Sequence, residues 1–370
     1  MNLKYKPDWE QTKERYKAWW AHEYFGRCAI SVVARRTDAP DEPPPATPAD
    51  PHRRWLDYDF LHAINEWGMG RTFYGGEAFP VWNPGYPGWS SIPCFLGASV
   101  KLDHATGWVD PLIGDGALTD HDYRDLVIQS DNHWWVTTQN MLRFAVEEAR
   151  GPSTGSGCGM SIPGNLAIGG CGDTLAMLRG YENLLYDVAE CPDYVREFDQ
   201  YLMRQWMEVF DTLYEITREG AEGSTCWFTL WSPGKFYPTH NDFAYCISPK
   251  MFREVFLPSL EMQTQYLDHT VHHVDGIGNF VHVDALCELP RLQALQILPG
   301  AGKPSPLHYM DVLKKVQAAG KNLHIGLPAN QVKDALENLS ARGLFIATSC
   351  QTEEEARELI KNCERWSRDR

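Results

Sequence analysis

The sequence predicts an α/β protein, a (β/α)8 TIM barrel carrying an N-terminal extension of helix and loop. Three observations point there. From residue 120 onward, short apolar runs of strand type alternate with helical stretches, the pattern of a parallel sheet flanked by helices. No glycine-rich nucleotide fingerprint stands near the first strand, where an open doubly wound sheet would usually carry one. The length of 370 residues exceeds the usual single-domain size but suits one barrel with insertions. Residues 1–120 are read as the extension and pocket-covering loops, and 121–370 as the main part of the barrel, within one domain.

Taken in order, Asp8 to about Phe25 has helical spacing of aromatics (Trp9, Tyr16, Trp19, Trp20), and Cys28–Ala34 is a short apolar run of strand type. Pro40–Pro51 reads as a surface loop, and residues 71–118 form a Gly-, Pro- and aromatic-rich stretch suited to pocket walls or a packed cover. Helical periodicity spans His133–Arg150, and an apolar strand is expected over Met160–Ile168. Asp173 is a candidate N-cap for a helix over Thr174–Leu185, and Pro192 opens a long amphipathic helix. Thr225–Trp231 is expected as a strand, followed by a polar-aromatic loop and a helix capped by Ser248. Four further strands are expected at Val271–Val274, Ala294–Leu298, Leu323–Leu327 and Phe345–Thr348, the last leading into a helix with a capping box at Thr352–Glu355.

Composition excludes several classes. Hydrophobic residues at 43% and charged residues at 22% describe an ordinary globular chain. A net charge of −15 repels phosphate backbones, so nucleic acid is not an expected partner. The sequence has no apolar run of membrane-spanning length and no apolar signal core at its start, so a cytoplasmic location is expected. Ten cysteines without CxxC spacing read as reduced, mostly buried thiols. The glycine runs Gly155–Gly159 and Gly169–Gly172 lack the Walker lysine and the dinucleotide spacing, and read as tight turns.

In a barrel the chemistry sits at the C-terminal ends of the strands. Strand alternation puts His273 and Asp275 on one face and His272 and Val274 on the other. Cys350 ends the last strand, two residues before a helix N-cap, where the helix dipole would favour a thiolate. His273, Asp275 and Cys350 together offer N, O and S donors with a fourth position open, a set suited to catalytic zinc. A hydrogen-bonded His–Asp pair without metal is the competing reading, and a buried thiol is the plainer one for Cys350. Substrate-pocket candidates are Trp231, Tyr237, Asp242 and Gln296, with Trp82 and Tyr86, and beside them Tyr74 and Glu77, from the aromatic-rich loops. Lys235 and His240 flank the same loop as Asp242.

The stretches Gly172–Pro192 (GDTLAMLRGYENLLYDVAECP) and Ile247–Leu260 (ISPKMFREVFLPSL), the strand end His273–Gly276 and the closing strand with Cys350 carry a family resemblance. Over about Asn165–Arg365 the chain resembles the uroporphyrinogen decarboxylase superfamily, and within it the cobalamin-dependent methyltransferases more than the porphyrin decarboxylases. The resemblance implies zinc held at His273, Asp275 and Cys350, with Asp275 where the methyltransferases carry a cysteine. A harder oxygen ligand makes zinc more electrophilic and better suited to activating an ether than to sustaining a thiolate. The implied function is demethylation of a methyl ether or similar small molecule, His273 and Asp275 being catalytic and a separate corrinoid (cobalamin) protein accepting the methyl group. This chain lacks the Asp-x-His-x-x-Gly motif of a corrinoid carrier. A homodimer stays open. Two rivals stand: a metal-free decarboxylase or lyase using His273 and Asp275 as an acid–base pair, and a non-catalytic barrel binding a sugar or aromatic ligand.

Overall fold

The computed structural model describes residues 2–85, 88–151 and 158–370. Its centre is a seven-stranded sheet of β1 (Ala29–Arg35), β2 (Thr72–Gly76), β3 (Phe236–His240), β4 (His269–Asp275), β5 (Ala294–Leu298), β6 (Asn322–Gly326) and β7 (Leu344–Thr352). The order across the sheet is β3-β4-β5-β6-β7-β1-β2. Neighbours run parallel from β3 to β1, and β2 is antiparallel to β1. Helices α1 (Trp9–Trp20), α2 (His133–Arg150), α3 (Asp173–Arg179), α4 (Tyr181–Glu190), α5 (Pro192–Ala221), α6 (Leu257–Tyr266), α7 (Val283–Glu288), α8 (Met310–Ala318), α9 (Val332–Asn338) and α10 (Glu353–Trp366) surround it. The α/β alternation with a parallel sheet is as the sequence predicts.

Both faces of the sheet are buried, and the period of two divides them. Ile30, Val32, Tyr237, Val274, Leu295, Ile297, Leu323, Ile325 and Ile346 belong to the core shared with the helices. The alternate residues Ala29, Phe236, Val271, Ala294 and Phe345 belong to a second core with Trp9, Tyr16, Trp19, Trp20 and Trp231. That second core lies at the strand starts. Helix α1 therefore seals the end of the sheet opposite His240 and Asp275. Its rings interlock: Trp9 lies 5.6 Å edge-on to Trp231, Trp20 5.4 Å from Phe236 and Trp19 5.4 Å from Phe345.

Five local expectations are revised. Of Met160–Ile168 only Ile162–Pro163 forms a strand, and the helix expected over Thr174–Leu185 is two, α3 and α4, meeting at Gly180. The loop after Trp231 contains strand β3, because Phe236 and Tyr237 find burial on opposite sides. The segment Thr225–Trp231 is two short antiparallel strands, Ser224–Thr225 and Trp231–Ser232, with Thr229 at φ +49° in the turn between them. Asp173 is the first residue of α3, and its N-cap is Gly172. The Thr352 capping box forms as expected. Tyr86 and Gly155–Gly157 lie outside the described residues. Among those described, no helix is long and apolar enough to cross a membrane.

Candidate active site

Parallel register aligns a row of polar side chains across the sheet: His240 beside His273, His273 beside Gln296, and Gln296 beside His324. Each residue sits on the face opposite the helix-side core, the parity of Phe236, Val271, Ala294 and Phe345. The row lies near the C-terminal ends of β3 to β6, and beyond it stand Asp242 and Asp275.

His273 Nε2 is 3.8 Å from Asp275 Oδ2, and its Nδ1 is hydrogen-bonded to Gln296 Oε1. Gln296 Nε2 in turn lies 3.2 Å from His324 Nδ1. His272, of opposite parity, is buried and meets Thr239 Oγ1 at 2.9 Å. Gly276 has φ +80° and would place a Cβ 2.9 Å from the Tyr245 ring, so only glycine turns the chain here without displacing Asp275 or Tyr245.

Asp242 comes from the turn after β3. The buried Asp173 carboxylate accepts the Asp242 N–H at 3.0 Å and the Phe243 N–H at 2.8 Å, and it lies 2.6 Å from His240 Nδ1. One carboxylate thus fixes both the imidazole and the turn. The glycines before it allow this close approach: a Cβ on Gly170 would lie 2.7 Å from the His240 carbonyl oxygen, and one on Gly172 2.6 Å from Asn241. That is the physical reason for the Gly169–Gly172 run.

Two groups of side chains bring candidate ligand atoms within 4.8 Å of one another: Asp173, His240 and Asp242, and Asp242, His273 and Asp275. Asp242 is common to both. In the first, Asp173 is already committed to three hydrogen-bond partners. In the second, both carboxylates reach solvent while His273 is largely covered. Burial disfavours the charged form of His240, but the hydrogen bond and charge of Asp173 outweigh it and hold its pKa above the ordinary histidine value. Asp242 is exposed at the strand ends, with protein atoms crowded around its carboxylate. This desolvation, then the nearby Asp173 carboxylate, pushes its pKa up against the opposing pull of His240 and His273. Such a rise favours the protonated, neutral form of the carboxyl.

Cys350 belongs to neither group. It stands where β7 loses register with β1, between Ser349 and Thr352, and packs against the helix-side core, bordering a depression with Asn330, Glu355 and Leu359. Burial, then the Glu355 carboxylate, pushes its thiol pKa up. The helix end expected to favour a thiolate is already occupied, since Glu355 accepts the N–H groups of Gln351 and Thr352.

The other expected pocket residues disperse. Trp231 is in the sealed core at the strand starts, donating its Nε1–H to the Ala221 carbonyl at 2.9 Å. Tyr237 faces the helices, where its hydroxyl accepts the Ile168 N–H at 2.9 Å and its ring meets Trp206 at 5.0 Å. Trp82 is fully buried against Phe144. Glu77 is buried in an ion pair with Arg27, and the Tyr74 carbonyl accepts from Lys6. Lys235 pairs with Asp211 on α5. Gln296 joins the row as a partner of two histidines. The walls that sequence reasoning missed are Trp227, 5.8 Å edge-on to His273, and Phe228, 6.2 Å from His273 and 4.9 Å from His324.

No protein-family model matches the chain, and no curated protein matches it by sequence. Among solved structures, a methyltransferase from Methanosarcina mazei superposes with a TM-score of 0.61 at 11% sequence identity, covering 96% of this chain and 98% of the other. A shared fold extends over nearly all of both proteins.

Proposed function

We propose that this chain is a zinc-dependent methyltransferase that removes a methyl group from a small methylated molecule, a methyl ether or similar, with a corrinoid protein as acceptor. The observation that carries the reading is the convergence of Asp242, His273 and Asp275 at the strand ends, where the family resemblance implies the metal. The fold shared with a protein named methyltransferase supports it.

The residues fit a divalent ion. His273 directs Nε2 toward Asp275, and two carboxylates supply oxygen donors on the open side. The proposed ligands are therefore Asp242, His273 and Asp275, with Asp242 in place of Cys350. One nitrogen and two oxygens form a hard donor set with coordination room left for substrate. When bound, such an ion supplies Lewis acidity toward the heteroatom that carries the methyl group.

The remaining work belongs to the chain. Trp227, partly exposed beside His273, offers apolar surface that excludes water and accepts a methylated group, and the buried Phe228 backs it. Asp173 keeps a proton on His240 Nδ1 and fixes the turn that carries Asp242. Loss of the methyl group leaves the heteroatom with the bonding electron pair, and such an atom must finally acquire a proton, for which His240 stands beside Asp242.

The closed (β/α)8 barrel is part of the same reading. Links between the outer strands β2 and β3 support it: the parallel pair Val81–Trp82 with Ile162–Pro163, the Asn165–Cys226 bridge and the Ile168 contact to Tyr237.

The test supplies zinc-loaded protein with reduced free cobalamin and a panel of methyl ethers, amines and thioethers, following methylcobalamin by its absorbance. Transfer from at least one donor, abolished by chelation and by His273→Gln, is expected. Methyl transfer from none of them, or full activity in His273→Gln, overturns the proposal.

A further inference from the structure

His273 has two ring nitrogens, and only one can present a lone pair at the mouth. Which one does so is decided by the proton on the other. Three side chains from adjacent strands settle the matter. Gln296 Oε1 can only accept, so the hydrogen bond it makes requires the proton on His273 Nδ1. That leaves Nε2, the atom facing Asp275, as the lone pair. Gln296 Nε2 can only donate, so His324 Nδ1 must be a bare acceptor.

We propose that Gln296 and His324 form a tautomer lock on His273, His324 holding the Gln296 amide in the one orientation that leaves His273 Nε2 free to bind metal. The inference rests on the reading of His273 as a metal ligand, and assigns Gln296 and His324 as positioning residues rather than substrate contacts. The logic is bistable. If the amide of Gln296 turned over, its NH2 would face His273 Nδ1 and demand a lone pair there, moving the proton to Nε2 and closing the ligand position. A donor at His324 Nδ1, in the charged ring or in the neutral Nδ1–H tautomer, is what would turn it, so the lock requires a neutral His324 bare at Nδ1. The surroundings of His324 oppose the charged form, which is a donor at both nitrogens: its ring stacks 5.1 Å from Phe345 at 20°, lies 4.9 Å from Phe228 and is 5% exposed. Burial in that setting, then the neighbouring His273, pushes its pKa down to about 3. The His324 end of the lock is thus supported by apolar packing, while Gln296 and His273 are partly exposed.

The test reads the tautomer directly. In metal-free protein labelled with 15N-histidine, long-range proton–nitrogen spectra distinguish a protonated from a bare ring nitrogen, His273 being assigned by its loss in His273→Gln. The wild type should show a protonated Nδ1 and a bare Nε2. Gln296→Leu should shift the population toward protonated Nε2 and weaken zinc binding by about 10–100-fold, the usual cost of losing such an outer partner. Gln296→Glu, which still accepts from Nδ1, should restore both readouts, and His324→Phe should move the tautomer part of the way. A purely structural role would lower thermal stability in these variants without moving the nitrogen signals. A protonated Nε2 in the wild type, or unchanged tautomers in both Gln296→Leu and His324→Phe, overturns the lock. A wild type that binds no zinc overturns the proposed function instead, while the nitrogen signals still decide the lock; if Gln296→Leu fails to fold, His324→Phe decides it.

Discussion

The Nδ1 atom of His240 lies 2.6 Å from Oδ2 of Asp173, and the same carboxylate anchors the backbone of Asp242 and Phe243. Asp173→Ala would leave two backbone N–H groups and a buried imidazole without their acceptor, at a cost of about 2–4 kcal/mol. Asp173→Asn keeps an oxygen for the turn but removes the charge. His240, left mainly with the effect of burial, should then titrate below the wild-type value. Because the native pKa of His240 is raised, its stabilising contribution is complete at low pH and is lost as pH rises through that native value. Thermal melts against pH should show this limb in the wild type and a flatter one in Asp173→Asn, alongside an NMR titration of His240.

Glu77 is completely buried among Arg27, Arg15 and the Ile30 N–H, which it accepts at 2.6 Å. Burial alone would raise its pKa, but Arg27 and its other partners draw it down to about 2 from an ordinary 4.5. A depressed carboxylate stabilises the fold above its unfolded pKa, and this is lost as pH falls from about 4.5 through about 2. The shift corresponds to about 3 kcal/mol. Glu77→Gln should cost about 3–5 kcal/mol at neutral pH by stranding the buried Arg27 charge. Urea unfolding at pH 7 and pH 3 should show the variant's deficit shrinking in acid.

Trp231 serves the base of the sheet. Trp231→Ala should cost about 3–5 kcal/mol yet leave the zinc affinity of the folded protein within a factor of two or so, because the ring packs on Trp9 and Tyr16 at the end opposite His273. A large fall in affinity with unchanged stability would return Trp231 to the site.

Gly276→Ala should do the reverse. Its φ of +80° and the 2.9 Å approach to Tyr245 impose about 1–3 kcal/mol of strain. The change also displaces Asp275, one residue away. Calorimetry should record a modest loss of stability, and a zinc titration a disproportionate loss of affinity.

Much of the architecture could be read from periodicity. The spans His133–Arg150 and Ala294–Leu298 are as expected, and Pro192 opens its helix. Strand β3 escaped because Pro238, His240 and the flanking glycine resemble a loop, and only pairing with β4 makes the segment extended. At the site, alternation correctly separates His273 from His272. Cys350 could not be placed by alternation, because β7 loses register with β1 between Ser349 and Thr352. A stronger signal went unused: β3 and β4 both run into His-x-Asp, His240–Asp242 and His273–Asp275, and their register sets the two histidines side by side. Trp227 and Phe228 carried no such signal, since their approach to the histidines depends on a turn that sequence spacing does not reveal.

The most direct measurement is equilibrium zinc affinity, by competition with a chromogenic chelator, in the wild type and in Asp242→Asn, His273→Gln and Cys350→Ser. The wild type and Cys350→Ser should bind one zinc ion with closely similar affinity, while Asp242→Asn and His273→Gln should each lose at least about tenfold, the scale on which even outer partners of a metal site act. A wild type that binds no zinc, or a Cys350→Ser variant that fails as badly as His273→Gln while Asp242→Asn binds normally, would contradict the Asp242–His273–Asp275 centre.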